Sequence, residues 1–173
     1  MRIRVTKTVD RPSLIVVRDD GVSLSLREPT RKFSPPHDLI HYVVEKSLAL
    51  HGGFWGSIAG GAKFSGMEVV DGRQRPKANQ RSAALLKANA RSLSEAEAVV
   101  GVFQTVLHGA VANPHAQLGD LLARSGAALD AAAVQRTWQE LVAFRERWEG
   151  LAVGATIELD WPARGSRKAR SRV

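Results

Sequence analysis

The chain has 173 residues, 44% hydrophobic and 24% charged, a composition that predicts one globular domain with a buried core. The absence of cysteine excludes thiol nucleophiles, cysteine–zinc sites and disulfide bonds. The net charge is +8, and no apolar run approaches the roughly 18 residues of a membrane span, so we expect no membrane partner.

The first third of the chain predicts three antiparallel strands. Its opening, MRIRVTKTVD, lacks the apolar region of a signal peptide, so a cytoplasmic protein is expected. Residues 2–6, 13–17 and 22–27 show the alternation or the apolar run of a strand. The DDG sequence at 19–21 predicts a tight hairpin, because glycine accepts the positive φ of the turn.

A helix is predicted next, from about residue 35 to residue 50. Ser34 is expected at the N-cap and Pro35 at the first helical position, and the helix should end at Gly52–Gly53. At 100° per residue, its titratable side chains share one stripe opposite the apolar face. The stripe, which is the candidate catalytic site, consists of His37, Asp38, His41 and Glu45.

Three interpretations of this stripe remain open. A divalent metal can be held by His37 with His41, or by His41 with Glu45, and completed from another element. The whole stripe cannot bind one ion, because His37 and Glu45 lie about 12 Å apart along the axis. In a metal-free site, Glu45 orients His41, and His37 acts as a base. In a surface helix, Asp38 complements the helix dipole and His41 pairs routinely with Glu45.

The sequence HDLIH at 37–41 is similar to the H-E-x-x-H motif of zinc metallopeptidases. The resemblance implies zinc ligands at His37 and His41 and a general base at Asp38. Aspartate is one methylene shorter than the acid of the motif, and His37 lies in the first turn rather than inside a long helix. The other imidazoles available as ligands are His51, His108 and His115.

The segment HGGFWGSIAGGAKFSG at 51–66 contains six glycines in sixteen residues. This spacing predicts a close approach of backbones or a cavity lined by amides, and a loop pinned by its aromatic residues is the alternative. It matches no phosphate-loop motif. Lys63 is its only formal charge and a candidate contact for an anion.

Three segments also carry a family resemblance. HDLIHYVVE at 37–45, GGFWGSIAGGA at 52–62 and GATIELDWP at 154–162 resemble a group of uncharacterised bacterial proteins with HDLxHYxVE and GGFWGxIAxGA segments. The resemblance implies a bacterial protein and carries no activity with it.

The remaining chain predicts mostly helices. Ser92 and Glu95 form a capping-box pattern at the start of a helix over 92–109, and a second helix is expected over 114–126. Asp130 predicts the cap of a third helix, whose core stripe includes two tryptophans, Trp138 and Trp148.

Residues 155–162 alternate again and predict a strand that rejoins the N-terminal strands. The expected fold is α+β, with an antiparallel sheet of about four strands packed on one face by several helices. Three of its strands would form the N-terminal meander, and this C-terminal strand would be the fourth. We predict a single domain over 1–163 and a basic disordered tail over 164–173.

Positive charge is concentrated in two segments. Residues 73–91 hold six basic residues and residues 164–173 hold five, with no acid in either, so the rest of the chain carries a net −3. Localised charge favours a polyanion such as nucleic acid, whereas a solvated helix face and a solubilising tail are the alternative. The candidate anion-binding residues are Lys63, Arg73, Arg75, Lys77 and Arg81.

The sequence narrowly favours a small enzyme or ligand-binding protein, with its site on the 35–50 helix beside the glycine-rich turn. The alternative is a nucleic-acid-binding or partner-binding module that uses 73–91 and the tail. A divalent metal is the cofactor that His37 and His41 suit.

Overall fold

The computed structural model describes residues 1–27, 34–109, 113–126 and 128–162. Helices and strands alternate irregularly along these ranges. In chain order they are β1 (Arg2–Thr6), β2 (Ser13–Val17), β3 (Ser23–Arg27), α1 (His37–Ser47), α2 (Phe54–Ala59), β4 (Glu68–Asp71), α3 (Ala78–Ala88), α4 (Ala90–His108), α5 (Pro114–Arg124), α6 (Ala131–Glu149) and β5 (Thr156–Asp160).

The strands form one antiparallel sheet in the order β4-β3-β2-β1-β5. The α+β class, the N-terminal meander and the return of the C-terminal strand to β1 are confirmed. The sheet of the described residues has five strands rather than about four, because β4 extends it beyond β3. This short strand, EVVD, has four exposed side chains and no alternation, so its sequence carries no strand period.

The core lies between one face of the sheet and the helices. Ile3, Val5 and Leu14 are fully buried on that face, while Arg4 and Glu158 pair across β1 and β5 on the solvent face. Trp138 and Trp148 of α6 are buried in the core, as their helical spacing predicts.

Helix α1 begins later and ends earlier than its sequence predicts. Ser34 is not the N-cap of α1, which begins at His37 after Pro36. Pro36 disfavours a helical conformation at Pro35, and Pro36 itself is extended (φ −52°, ψ 148°), so the helix starts only after both prolines. The helix ends at Ser47 rather than at the glycines, because Ala49 adopts a left-handed conformation (φ 55°).

The capping-box prediction for α4 is wrong as well. The helix begins at Ala90, one residue after Asn89, which alone separates it from α3. Ser92 and Glu95 therefore lie inside the helix, where Glu95 pairs with Arg91 instead (2.7 Å). The cap of α6 is confirmed, since Asp130 Oδ2 accepts a hydrogen bond from the amide of Ala133 (2.8 Å).

Within the described ranges, every helix is too short or too polar to cross a membrane. The basic tail over 164–173 lies outside the described residues. The cytoplasmic location and the single domain over 1–163 stay predictions.

Candidate metal centre

The polar stripe of α1 does not face bulk solvent. His41 is 3% exposed and Glu45 is fully buried. The glycine-rich turn after α1 covers Glu45, and α4 supplies polar partners to both histidines of the stripe. The surface-helix interpretation is therefore wrong for His41 and Glu45.

The turn binds Glu45 through backbone amides. Glu45 Oε1 accepts from the amide of Phe54 (2.8 Å) and Oε2 accepts from the amide of Trp55 (3.0 Å). A Cβ on Gly53 would lie only 2.5 Å from Glu45 Cδ, so any larger residue here would force the turn or Glu45 to shift. At Gly53 the glycine-rich segment thus approaches a side chain. The predicted close approach of backbones lies at Gly56, where an added Cβ would lie 2.0 Å from the carbonyl oxygen of His51.

Three candidate ligand atoms converge between α1 and α4. His41 Nε2 lies 3.1 Å from His37 Nε2 and 3.0 Å from Glu97 Oε2, and His37 Nε2 lies 3.6 Å from the same oxygen. Among the described residues, these three side chains form the group that could hold a metal ion. Glu97 comes from α4, so the ligand set spans two helices.

The other ring nitrogen of each histidine has its own acceptor. His41 Nδ1 donates to Glu45 Oε1 (2.8 Å), and His37 Nδ1 donates to Gln104 Oε1. Because both Nδ1 atoms serve as donors, the Nε2 lone pairs of neutral imidazoles would point toward Glu97. Metal-binding histidines in proteins are usually held in this way by a carboxylate or another acceptor.

The spacing of the three atoms suits a small transition-metal ion. Zinc lies about 2.0–2.2 Å from nitrogen and carboxylate ligands. A zinc ion would be held by His37, His41 and Glu97, whose three ligand atoms lie close enough together for one small ion. The side chain of Glu97 is 61% exposed and that of His37 is 36% exposed, so the outer side of the cluster is open to water.

Without a bound metal ion, the hydrogen bonds of the cluster favour the protonated forms of its two histidines. Burial opposes the charged form of His41, but the hydrogen bonds to Glu45 and Glu97 outweigh it and raise the pKa of His41 to about 9. The hydrogen bond to Glu97 likewise raises the pKa of His37 against the effect of burial. Both histidines hold the pKa of the Glu97 carboxyl well below its usual range. The metal-free site is thus an imidazolium between two carboxylates.

Asp38 lies beside this cluster and outside the ligand triangle. It lines a small pocket of about 130 Å³ together with Phe54 and Phe64. Its backbone carbonyl accepts a hydrogen bond from Trp55 Nε1 (2.8 Å), and burial raises the pKa of its carboxyl. The ring of Phe54 also contacts His41, with 5.7 Å between ring centroids, so the pocket adjoins the cluster.

Of the additional imidazoles considered as ligands, His51, His108 and His115 do not belong to the group. The third candidate ligand is Glu97, and Gln104 accepts a hydrogen bond from the ring of His37. Sequence reasoning missed both residues. The only available signal was their spacing of seven, which places them on one face of α4, and nothing local links that face to the α1 stripe.

The candidate anion-binding residues do not all lie at one site. Arg75 and Arg81 line a second pocket together with Arg18. The side chains of Arg73 and Lys77 do not line it, although all four of these candidate side chains are exposed. Lys63 is half-buried, and its amide donates to Ser82 Oγ on α3 (2.8 Å).

No family model, no curated protein and no solved structure matches this chain. The resemblance to the bacterial group stays a prediction. The function must therefore be argued from the geometry of the side chains.

Proposed function

We propose that this protein is a metal-dependent hydrolase whose centre binds one divalent transition-metal ion, preferentially Zn²⁺, through His37, His41 and Glu97. Two imidazoles and one carboxylate are a ligand set of catalytic zinc sites. Among the described residues no fourth side chain joins the set, which leaves a position for water. A metal ion at such a position lowers the pKa of bound water and so supplies a nucleophile at neutral pH.

The observation that carries the proposal is the convergence of His37 Nε2, His41 Nε2 and Glu97 Oε2 within 3.0–3.6 Å of one another. Without a metal ion, hydrogen bonds join these atoms only when His41 is protonated and its Nε2–H is shared between His37 Nε2 and Glu97 Oε2. A single cation satisfies all three lone pairs at once. The acceptors on both Nδ1 atoms support the same assignment.

Nitrogen and carboxylate donors suit zinc, but two histidines and one carboxylate also bind iron(II) with open positions. The first experiment therefore measures the binding of Zn²⁺, Fe²⁺ and Mn²⁺ to chelator-treated protein by calorimetry, with metal content determined after purification. We expect one equivalent of Zn²⁺ to bind most tightly. Failure to bind any of the three ions would overturn the proposal, and preference for Fe²⁺ would overturn the choice of zinc.

The matched variants are Glu97→Gln and Glu95→Gln. Both residues lie on α4, and the side chain of Glu95 is similarly exposed but pairs with Arg91. Glu97→Gln replaces the carboxylate with a neutral amide and should weaken Zn²⁺ binding at least tenfold, whereas Glu95→Gln should bind as the wild type does. Equal affinities in the two variants would contradict the ligand assignment.

Hydrolysis is tested separately with p-nitrophenyl acetate and p-nitrophenyl phosphate. The zinc-loaded protein should cleave at least one of them faster than the chelator-treated protein and than zinc-loaded Glu97→Gln. If the loaded protein cleaves neither, the hydrolytic part of the proposal is wrong, although the metal site would stand.

A further inference from the structure

A second pocket, of about 250 Å³, lies beyond the C-terminal end of α2, whose first residues bind Glu45. Three arginines and one aspartate are its charged lining residues, so the lining carries a net charge of +2. They are Arg18, Arg75, Arg81 and Asp20. The arginines come from the end of β2, the segment before α3, and α3 itself, so tertiary structure brings them together.

Arg18 is the most constrained member of this set. It is only 8% exposed, and its Nε and Nη2 donate to the two carboxylate oxygens of Asp20 (3.1 and 2.7 Å). Its Nη1 lies 4.0 Å from the position of a Cβ on Gly61, which itself has a positive φ of 105°. Within the described part of the chain, no group accepts a hydrogen bond from Nη1. The guanidinium is thus held in place with one nitrogen left for a ligand.

The surroundings increase the positive potential of the pocket. Arg75 and Arg81 add two full charges, and Asp20 is already engaged by Arg18. Ala78, the first residue of α3, also lines the pocket, and the first turn of α3 contains no acidic residue to offset the positive end of its dipole. Clustered like charges repel each other in the absence of a ligand, and an anion relieves this repulsion.

We infer that this pocket binds the phosphate group of a small phosphorylated molecule, with Arg18 at its base and Arg75 and Arg81 at its sides. Guanidinium groups match phosphate oxygens in charge and in planar geometry. The depth of Arg18 selects a terminal phosphate, which can enter a pocket, over the backbone of a nucleic acid, which runs across a surface. This site is distinct from the metal centre and does not depend on the proposed hydrolysis.

The test uses inorganic pyrophosphate and inorganic phosphate as probes on the full chain, measured by calorimetry at fixed ionic strength. Metal is removed first with a chelator that is then dialysed away, so that pyrophosphate cannot bind through a metal ion. The variant is Arg81→Gln. The matched control is Lys87→Gln, which removes one positive charge from the exposed surface of the same helix and outside the pocket.

We expect the wild type and Lys87→Gln to bind pyrophosphate equally and Arg81→Gln to bind it at least tenfold more weakly. Arg75→Gln should show a loss in the same direction. No binding by the wild type, or equal affinities for Arg81→Gln and Lys87→Gln, would overturn the inference. If a single-stranded RNA binds while pyrophosphate does not, and if Arg81→Gln and Lys87→Gln weaken RNA binding equally, the region is a surface for polyanions. That result would also overturn the inference of a phosphate pocket.

Discussion

Glu45 shows how one residue can connect the glycine-rich turn to the chemistry of the site. Its carboxylate is fully buried and receives hydrogen bonds from two backbone amides and from His41 Nδ1. A buried charge is tolerated only with such partners, because its desolvation is otherwise very costly. Glu45 thereby fixes the tautomer of His41 and orients its Nε2 toward His37 and Glu97.

The substitution Gly53→Ala, which adds one methyl group, tests whether the glycine-rich turn positions Glu45. The new Cβ would overlap the Glu45 carboxyl, so either the turn or Glu45 must move. We expect a loss of about 1–3 kcal/mol in the free energy of unfolding and a weaker affinity for Zn²⁺, both measured on purified protein.

The control for that substitution is Gly101→Ala in α4, where an added Cβ meets nothing within 4 Å. It should be neutral or slightly stabilising, because alanine favours a helix over glycine by about 1 kcal/mol. If Gly53→Ala behaves like Gly101→Ala in both measurements, the described contact between the turn and Glu45 does not position the metal centre.

At the scale of elements, the site is an interface between α1 and α4. The first helix supplies His37 and His41, and the second supplies Glu97 and, two turns later, Gln104. His37 is the first residue of its helix, where backbone constraint is weakest, so its ring depends on Gln104 for orientation.

Gln104→Ala should therefore weaken Zn²⁺ binding by about 10–100-fold, the usual effect of removing a group that orients a ligand. Stability should change little, because Gln104 is only partly buried and its main partner is one imidazole. Calorimetry on the variant, compared with Gln139→Ala on the exposed face of α6, provides the measurement. An unchanged affinity would mean that His37 needs no positioning.

At the scale of the whole molecule, the charges between α1 and α4 should make the stability of the metal-free protein depend on pH. The pKa of His41 is about 9 in the folded state, above its ordinary 6.5. A raised pKa stabilises the fold fully below pH 6.5, and this contribution is lost as pH rises through 9. The shift of His37 acts in the same direction.

We expect the free energy of unfolding of chelator-treated protein to fall between pH 6.5 and pH 9.5 by on the order of 1–3 kcal/mol. Urea unfolding at several pH values would measure it. The loss should be smaller in His41→Asn and retained in His115→Gln, which alters an exposed histidine on α5. A wild-type stability that is constant over this range would contradict the described charge network.

Much of the architecture could be read from local patterns. Alternation predicted β1, β3 and β5, and an apolar run predicted β2. The DDG turn predicted the hairpin in which Gly21 adopts a φ of 80°. The helical stripe of α1 placed His37, His41 and Glu45 on one face. Strand β4 was missed because it depends on pairing with β3 rather than on a period of its own residues, and helix α2 was not predicted. The start of α4 was missed because α3 ends only one residue before it, whereas the start of α1 is set locally by Pro36.

The sequence by itself determined the fold class and the amphipathic character of α1. The length of the α1 stripe also showed that a metal ion bound there needs a ligand from another element. Only the tertiary structure brought Glu97 to the histidines as a candidate for that ligand, and Arg18 together with Arg75 and Arg81. The physical reason is the separation along the chain over which a sequence pattern is informative. Periodicity reports contacts within a few residues along the chain, whereas His41 and Glu97 meet across 56 positions through the packing of α1 against α4.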